Sequence, residues 1–263
     1  MQDLTRWSQE DRGRIHGIFT DIDDTLTTDG AITQDALDAL AALKSAGLHV
    51  IPITGRPIGW SEPFASQWPV DAIVAENGSV AFRHDDNDAA RIHKIYQQDE
   101  ATRTANYAHM QEVAQQIVRE VPGAMLATDS HGRETDIAID HSEFTHLPQS
   151  GIDQAVAIMR EAGMNATVSS IHINGWFGDH NKLEGARWIV RELFNRDLDL
   201  EMDHWAYVGD STNDQLMFKT FKNSIGVANI ARFVPQLKDF PKYVTNGERG
   251  AGFAEAAKML LAR

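Results

Sequence analysis

The chain has 263 residues, 42% of them hydrophobic, and a formal charge of −14 at pH 7. That content suffices for the core of one large or two smaller domains, while the acidic balance argues against nucleic acid or an anionic membrane surface as a partner, since both are held through clustered Lys and Arg. Cysteine is absent, which excludes disulfides, thiolate metal sites and cysteine nucleophiles and agrees with a cytoplasmic setting. No apolar run approaches the roughly 20 residues that cross a bilayer, and the start Met1-Gln2-Asp3-Leu4-Thr5-Arg6-Trp7 lacks the apolar core of a secretory signal.

In chain order, the first third reads as strand, helix, strand, helix, strand, the alternation of a parallel sheet covered by helices. A strand is expected over 15–20, and it ends in the carboxylates of Asp21-Ile22-Asp23-Asp24. A helix follows with Leu37, Leu40, Ala41 and Lys44 at helical spacing, stopped by Gly47, whose missing Cβ suits a left-handed cap. A second strand is expected over 49–54, a helix after Pro57, a third strand over 72–75, and a hairpin through Val80-Ala81-Phe82.

The polar run His84-Asp85-Asp86-Asn87-Asp88 reads as an exposed linker, because it has little to bury and its charges repel. Beyond it, Met110, Val113, Ala114 and Ile117 form one helical stripe and Ile152, Ala155, Val156 and Met159 another, with strands expected over 125–128, 135–139 and 171–174. The segment Asn174-Gly175-Trp176-Phe177-Gly178-Asp179 offers two glycines as a hinge. The last third resumes the alternation: a helix marked by Leu183, Ala186, Val190 and Leu193, a strand over 205–208, and a terminal helix burying Phe253, Ala256, Ala257 and Leu260. The expected fold is α/β, with a doubly wound parallel-sheet core built from 1–84 and 179–263 and a smaller α+β cap domain over 85–178.

The chemistry concentrates at predicted strand ends. Asp21 and Asp23 can face one crevice, the usual ligand position in open α/β sheets, and clustered carboxylates of this kind share a proton or recruit a hard cation such as Mg²⁺. Thr54-Gly55-Arg56 offers a hydroxyl, a flexible backbone and a guanidinium to phosphate oxygens. In Glu76-Asn77-Gly78, Asn77 could donate to a bound group. Lys182 lies at a helix start, where a cation needs an anion to meet. Val208-Gly209-Asp210-Ser211-Thr212-Asn213-Asp214 ends a strand in a second acidic cluster.

These segments, in this order and over the full length, resemble the haloacid dehalogenase superfamily of aspartate-nucleophile phosphotransferases. Asp21-Ile22-Asp23-Asp24-Thr25 resembles its first motif, Thr54-Gly55-Arg56 its second, Lys182 its third and Gly209-Asp210-Ser211-Thr212-Asn213-Asp214 its fourth. The large insertion resembles the Cof-type branch with an α/β cap, which includes sugar-phosphate phosphatases and a phosphomannomutase. The resemblance implies a Mg²⁺-dependent phosphomonoesterase acting on a small phosphorylated substrate, as a monomer or homodimer. Asp21 would be nucleophile, Asp23 acid and base, and Thr54 and Lys182 stabilisers of the transferring group. Metal ligands would be Asp21, Asp23, Asp210 and Asp214, and substrate contacts Gly55, Arg56, Asn77, Arg133 and Asn213.

Within the cap, His131, Arg133, Asn174 and Trp176 are the specificity candidates, with Arg133 placed to clamp a second anion and Trp176 to stack a sugar. The other histidines, His16, His49 and His172 among them, read as structural. Two departures stand out. Asp24 occupies a position where most members carry Gly, and Leu183 and Glu184 separate Lys182 from Gly185. A phosphosugar mutase and a non-catalytic phosphosugar sensor are the alternative functions.

Overall fold

The computed structural model describes residues 1–85 and 91–262; Asp86, Asn87 and Asp88 of the expected linker lie outside the described residues. Its central sheet is parallel throughout, in the order Gln2–Asp3, Tyr243–Val244, Asn223–Gly226, Trp205–Gly209, Gly17–Thr20, His49–Pro52. Successive residues of a strand point to opposite faces, and the sequence uses this to build two cores. Ile18, Val50, Ala206 and Val208 pack with the helices Gln34–Ser45 and Arg249–Leu261 on one side, while Phe19, Ile51, Trp205 and Tyr207 pack with Lys182–Phe194 and Gln215–Thr220 on the other. Strands buried on both faces carry near-continuous apolar runs. From Gly17–Thr20 the chain builds outward to His49–Pro52 and later returns on the opposite side through Trp205–Gly209, so the strand order reverses between these two neighbours. A crevice opens at their carboxyl ends.

Beyond His49–Pro52, a parallel bridge between Ile53 and Val74 attaches an antiparallel meander of Ala72–Ala75, Val80–His84 and Ile92–Tyr96. Ile92, Ile95 and Tyr96 pack on the two cores of the α/β unit, so the chain stays with that unit past residue 84, where the sequence suggested the division. The interposed segment has its own core. Met110, Val113 and Ile117 of Glu100–Glu120 and Ile152, Ala155 and Met159 of Gln149–Glu161 pack on one face of an antiparallel sheet. Its strand order is Asn165–Val168, His172–Trp176, Ile137–Asp140, Met125–Leu126. No helix among the described residues is long and apolar enough to cross a membrane.

Two local expectations need correction. In Gln34–Ser45 the buried residues are Ala36, Ala39, Leu40 and Leu43, while Ala41 is exposed; alanines on every face of this helix blurred its apolar stripe. Gly175 is no hinge either, because it lies inside the strand His172–Trp176, where a Cβ would sit 2.7 Å from the Met159 sulfur. It is a packing glycine. Gly178, at φ 110°, does adopt the left-handed region that glycine favours.

Candidate active site

Asp21 and Asp210 follow two adjacent parallel strands, and the Asp21 N–H continues the pairing by donating to the Val208 carbonyl at 2.9 Å. Gly209 precedes Asp210 because a Cβ there would lie 2.5 Å from Asp214 Oδ2. That close approach lets Asp214 Oδ2 accept from the Asp210 and Ser211 amides at 2.9 and 3.1 Å. Asp214 Oδ1 accepts from the Tyr207 hydroxyl at 2.5 Å and from Lys182 Nζ at 2.7 Å. Lys182 also reaches Asp21 Oδ1 at 2.9 Å. It is the first residue of its helix, whose free amides at Leu183 and Glu184 donate to the Asn181 side chain, and the two carboxylates offset the unfavourable helix-dipole position of its charge. The helix comes this close because residue 185 is glycine: a Cβ would fall 2.5 Å from Gly78 Cα.

The electrostatics follow from burial. Asp21, Asp210 and Asp214 are all buried, with carboxylate oxygens within 4.8 Å of one another. Burial raises Asp21 to a pKa of about 7; Lys182 opposes the shift, and Asp214 and Asp23 add to it. Asp210 is pushed well above the usual carboxylate range by burial and then by Asp214, Asp21 and Asp24. Burial works against the Lys182 charge, but Asp21 and Asp214 outweigh it and hold its pKa above the usual lysine range. Such a set fits a hard divalent cation. Asp210 Oδ2 is held by Asn229 Nδ2 at 3.0 Å and by Arg232 at 3.3 Å, whereas Oδ1 is buried with no hydrogen-bond partner. That orphaned oxygen, beside Asp21 and Asp214, is the chemistry Mg²⁺ would satisfy.

One cleft takes in Asp21, Asp23, Thr54, Gly55, Arg56 and Asn213, faced from the interposed unit by Ser169, Ile171, His172 and Asn174. Thr54 is buried and its hydroxyl accepts from the Arg56 amide at 3.0 Å. Asn213 Oδ1 accepts from the Ser211 hydroxyl at 2.7 Å. Arg56 reaches three carboxylates at once: Nε and Nη2 to Asp23, Nη1 to Asp129 at 3.1 Å and Nη2 to Glu143 at 2.8 Å. Asp129 and Glu143 belong to the interposed unit, so Arg56 ties that unit to Asp23. Burial would raise the Glu143 pKa, but the hydrogen bond from His172 and the charge of Arg56 win and hold it at about 2.

The remaining sequence candidates stand further back. Arg133 is 3% exposed and braces the loop from behind, with Nη1 donating to the Gly55 carbonyl at 2.9 Å and to Asp136 at 2.7 Å and Nη2 to Asp129 at 3.1 Å. Asn77, at φ 56°, donates to Asp136 at 3.3 Å, and Asn174 donates to the same carboxylate at 3.0 Å. Burial lifts Asp136 to about 7 against the pull of Arg133. Trp176 is buried with its indole N–H on the His180 carbonyl at 2.8 Å, and His131 is exposed.

Three side chains that hold the site together were not singled out by the sequence. His172 lines the cleft and meets Glu143 at 2.8 Å, a structural contact that also places its ring at the cleft wall. Glu76, fully buried, gathers the Ile58, Glu134 and Thr135 amides at 2.9, 3.1 and 2.5 Å. Asn229 joins Asp210 to the Asp24 carbonyl, the latter at 3.0 Å; the apolar run Ile225-Gly226-Val227 ahead of it was the available signal for another strand end.

A parallel α/β sheet with clustered aspartates and a buried lysine at its switch point makes up the candidate site. Residues 18–172 match the haloacid dehalogenase-like hydrolase family, and the chain belongs to it. Among curated proteins, the phosphoglycolate phosphatase of Methanothermobacter thermautotrophicus is 26% identical over 94% of this chain and 99% of the relative. Among solved structures, a Thermoplasma acidophilum protein aligns with a TM-score of 0.71 at 17% identity, covering 95% of this chain and 99% of that one. The sucrose-phosphatase of Synechocystis sp. PCC6803, solved with sucrose and phosphate, aligns at 0.65 and 17% identity, covering 93% and 97%.

Proposed function

We propose that the protein is a Mg²⁺-dependent phosphomonoester hydrolase acting on a small phosphorylated metabolite. The observation that carries this reading is Lys182 Nζ lying 2.9 Å from Asp21 and 2.7 Å from Asp214, beside the partnerless Asp210 Oδ1. In the proposed reaction an Asp21 oxygen attacks phosphorus, the bond from phosphorus to the leaving oxygen breaks, and Asp23 gives that oxygen its proton. A water then attacks phosphorus, Asp23 takes the water's proton, and the Asp21–phosphorus linkage breaks to release phosphate. Lys182 offsets charge on Asp21 and the transferring phosphoryl group, and Thr54 donates to a phosphoryl oxygen. Asp21, Asp210 and the Asp23 carbonyl would hold Mg²⁺, with Asp214 orienting the set; the ion supplies charge neutralisation at the phosphoryl oxygens.

The unit over 97–178 acts in this reading as a cap that excludes water and selects the substrate. The activities of the phosphoglycolate phosphatase and sucrose-phosphatase relatives point to two substrate classes, short phosphorylated acids and sugar phosphates. Phosphate release from p-nitrophenyl phosphate with Mg²⁺ and with EDTA, for wild type and Asp21→Asn, tests the reading. Release that needs Mg²⁺ and Asp21 is expected, and equal rates in both proteins would overturn the nucleophile assignment.

A further inference from the structure

The inner cleft around Asp21 leaves about 10 Å³ of room, too little for the group from which a phosphoryl is removed. That group has to lie in the outer cavity of about 380 Å³, which adjoins the cleft and shares Asp23, Arg56 and Ile171 with it. The core wall of this cavity is polar, formed by Thr27, Asp29, Arg232 and Arg249, whereas the interposed unit contributes the apolar side chains of Phe144 and Ile171. Phe144 is 73% exposed, and among the described residues lining either cavity it is the one phenyl ring. Trp176, the aromatic that the sequence offered for stacking, is buried against His180 instead.

A lone exposed apolar side chain is ordinary on a protein surface. What sets Phe144 apart is the turn that carries it. Buried Asp140 accepts from three successive amides, those of Ser142, Glu143 and Phe144, at 3.0, 2.9 and 2.9 Å. The Ile171 carbonyl accepts from the His141 and Ser142 amides at 3.1 and 3.2 Å, so the two apolar residues of the wall are fixed to one another. Glu143, immediately before Phe144, meets Arg56 at 2.8 Å and His172 at 2.8 Å, and Arg56 Nη2 lies 2.9 Å from Asp23. Two ion pairs thus hold Phe144 in register with the group that would protonate the leaving oxygen. A ring presented on so firm a turn loses little freedom when a ligand meets it, and covering it takes apolar area out of water.

We propose that Phe144 is a specificity-determining residue that stacks on the flat apolar face of a ring in the leaving alcohol, so that the site favours ring-bearing phosphomonoesters over linear ones of equal charge. This rests on the phosphatase reading, and the test separates the two. The kcat/KM values of benzyl phosphate and ethyl phosphate, both esters of primary alcohols, are compared, with p-nitrophenyl phosphate as a general reporter. The wild type is expected to favour the benzyl ester by about tenfold, the effect of one stacked ring taken out of water. Phe144→Ala should bring that ratio close to one, chiefly through KM, because the contact is made alike before and during transfer. Phe144→Tyr keeps the ring and should keep the ratio. Phe144→Leu, apolar but without a ring, should fall between them, and it reads the same ratio if Phe144→Ala proves unstable. A wild-type ratio near one, with the reporter hydrolysed, would overturn the proposal and leave the phosphatase reading standing. So would a ratio unmoved in Phe144→Ala or Phe144→Leu, the result expected of a side chain that only supports the turn. If none of the three esters is hydrolysed, both fall.

Discussion

Lys182→Met replaces the cation between Asp21 and Asp214 by a side chain of similar length. Asp214 keeps the Tyr207 hydroxyl and two backbone amides, so Asp21 carries most of the loss. Removing one partner of a buried ion pair costs about 3–5 kcal/mol, and protonation of Asp21 relieves part of it. With Lys182 in place the folded pKa of Asp21 is already raised to about 7, above the unfolded value near 3.9. A raised carboxylate binds its proton more tightly when folded, so its stabilisation is present at low pH and lost as pH rises through the folded value. Without the opposing Lys182 charge, the folded pKa moves higher and the variant goes on losing stability where the wild type has levelled off. The gap should therefore widen between pH 6 and pH 8, by on the order of 1 kcal/mol. Urea unfolding in EDTA measures it, and millimolar Mg²⁺ should narrow it by supplying positive charge. A loss under about 1 kcal/mol, or one equal at both pH values, would refute the reasoning, since a buried ion pair broken on one side cannot be that cheap.

Gly185→Ala should destabilise by about 1–2 kcal/mol, because a Cβ set 2.5 Å from Gly78 Cα meets backbone that cannot yield, and overpacking outweighs the gain in helix propensity. Since it pushes back the helix that begins at Lys182, kcat should fall more than KM; thermal melts and steady-state kinetics check both. His180 is 5% exposed and burial lowers its pKa to about 4, against an unfolded value near 6.5. Its depressed pKa makes the fold lose about 3 kcal/mol as pH falls from 6.5 to 4. His180→Phe should flatten that acid limb, and a wild-type slope retained in the variant would show that other groups cause it.

The core was legible because its strands alternate sharply. Ile18 against Phe19 and Val50 against Ile51 leave no doubt about which residues form a two-sided buried sheet, and aspartates immediately beyond such strands mark their functional ends. The helix Gln34–Ser45 was harder to orient, since alanine fits a buried or an exposed face equally well. Long-range partners were not legible. Arg56 and Arg133 look alike as isolated cations, yet one grips Asp23 and two carboxylates from across the cleft while the other is sealed behind it on Asp136. Which carboxylate an arginine meets depends on how distant segments dock, as does the place of His172 on Glu143. The departure at Asp24 was visible in the sequence, but the partners of its carboxylate, Arg232 and Arg249, lie more than 200 positions away.

The central claim is that Asp21 takes the phosphoryl group, and it can be tested on a variant that stalls after the first step. An aryl phosphate has a leaving group that departs without a proton, so Asp23→Asn should still transfer phosphoryl to Asp21 while lacking the base for the second step. Acid quenching of Asp23→Asn during turnover, followed by peptide mapping, should find a phosphoryl adduct on the peptide bearing Asp21 and nowhere else. Release of phosphate from the variant at the wild-type rate with no adduct on that peptide would contradict the account.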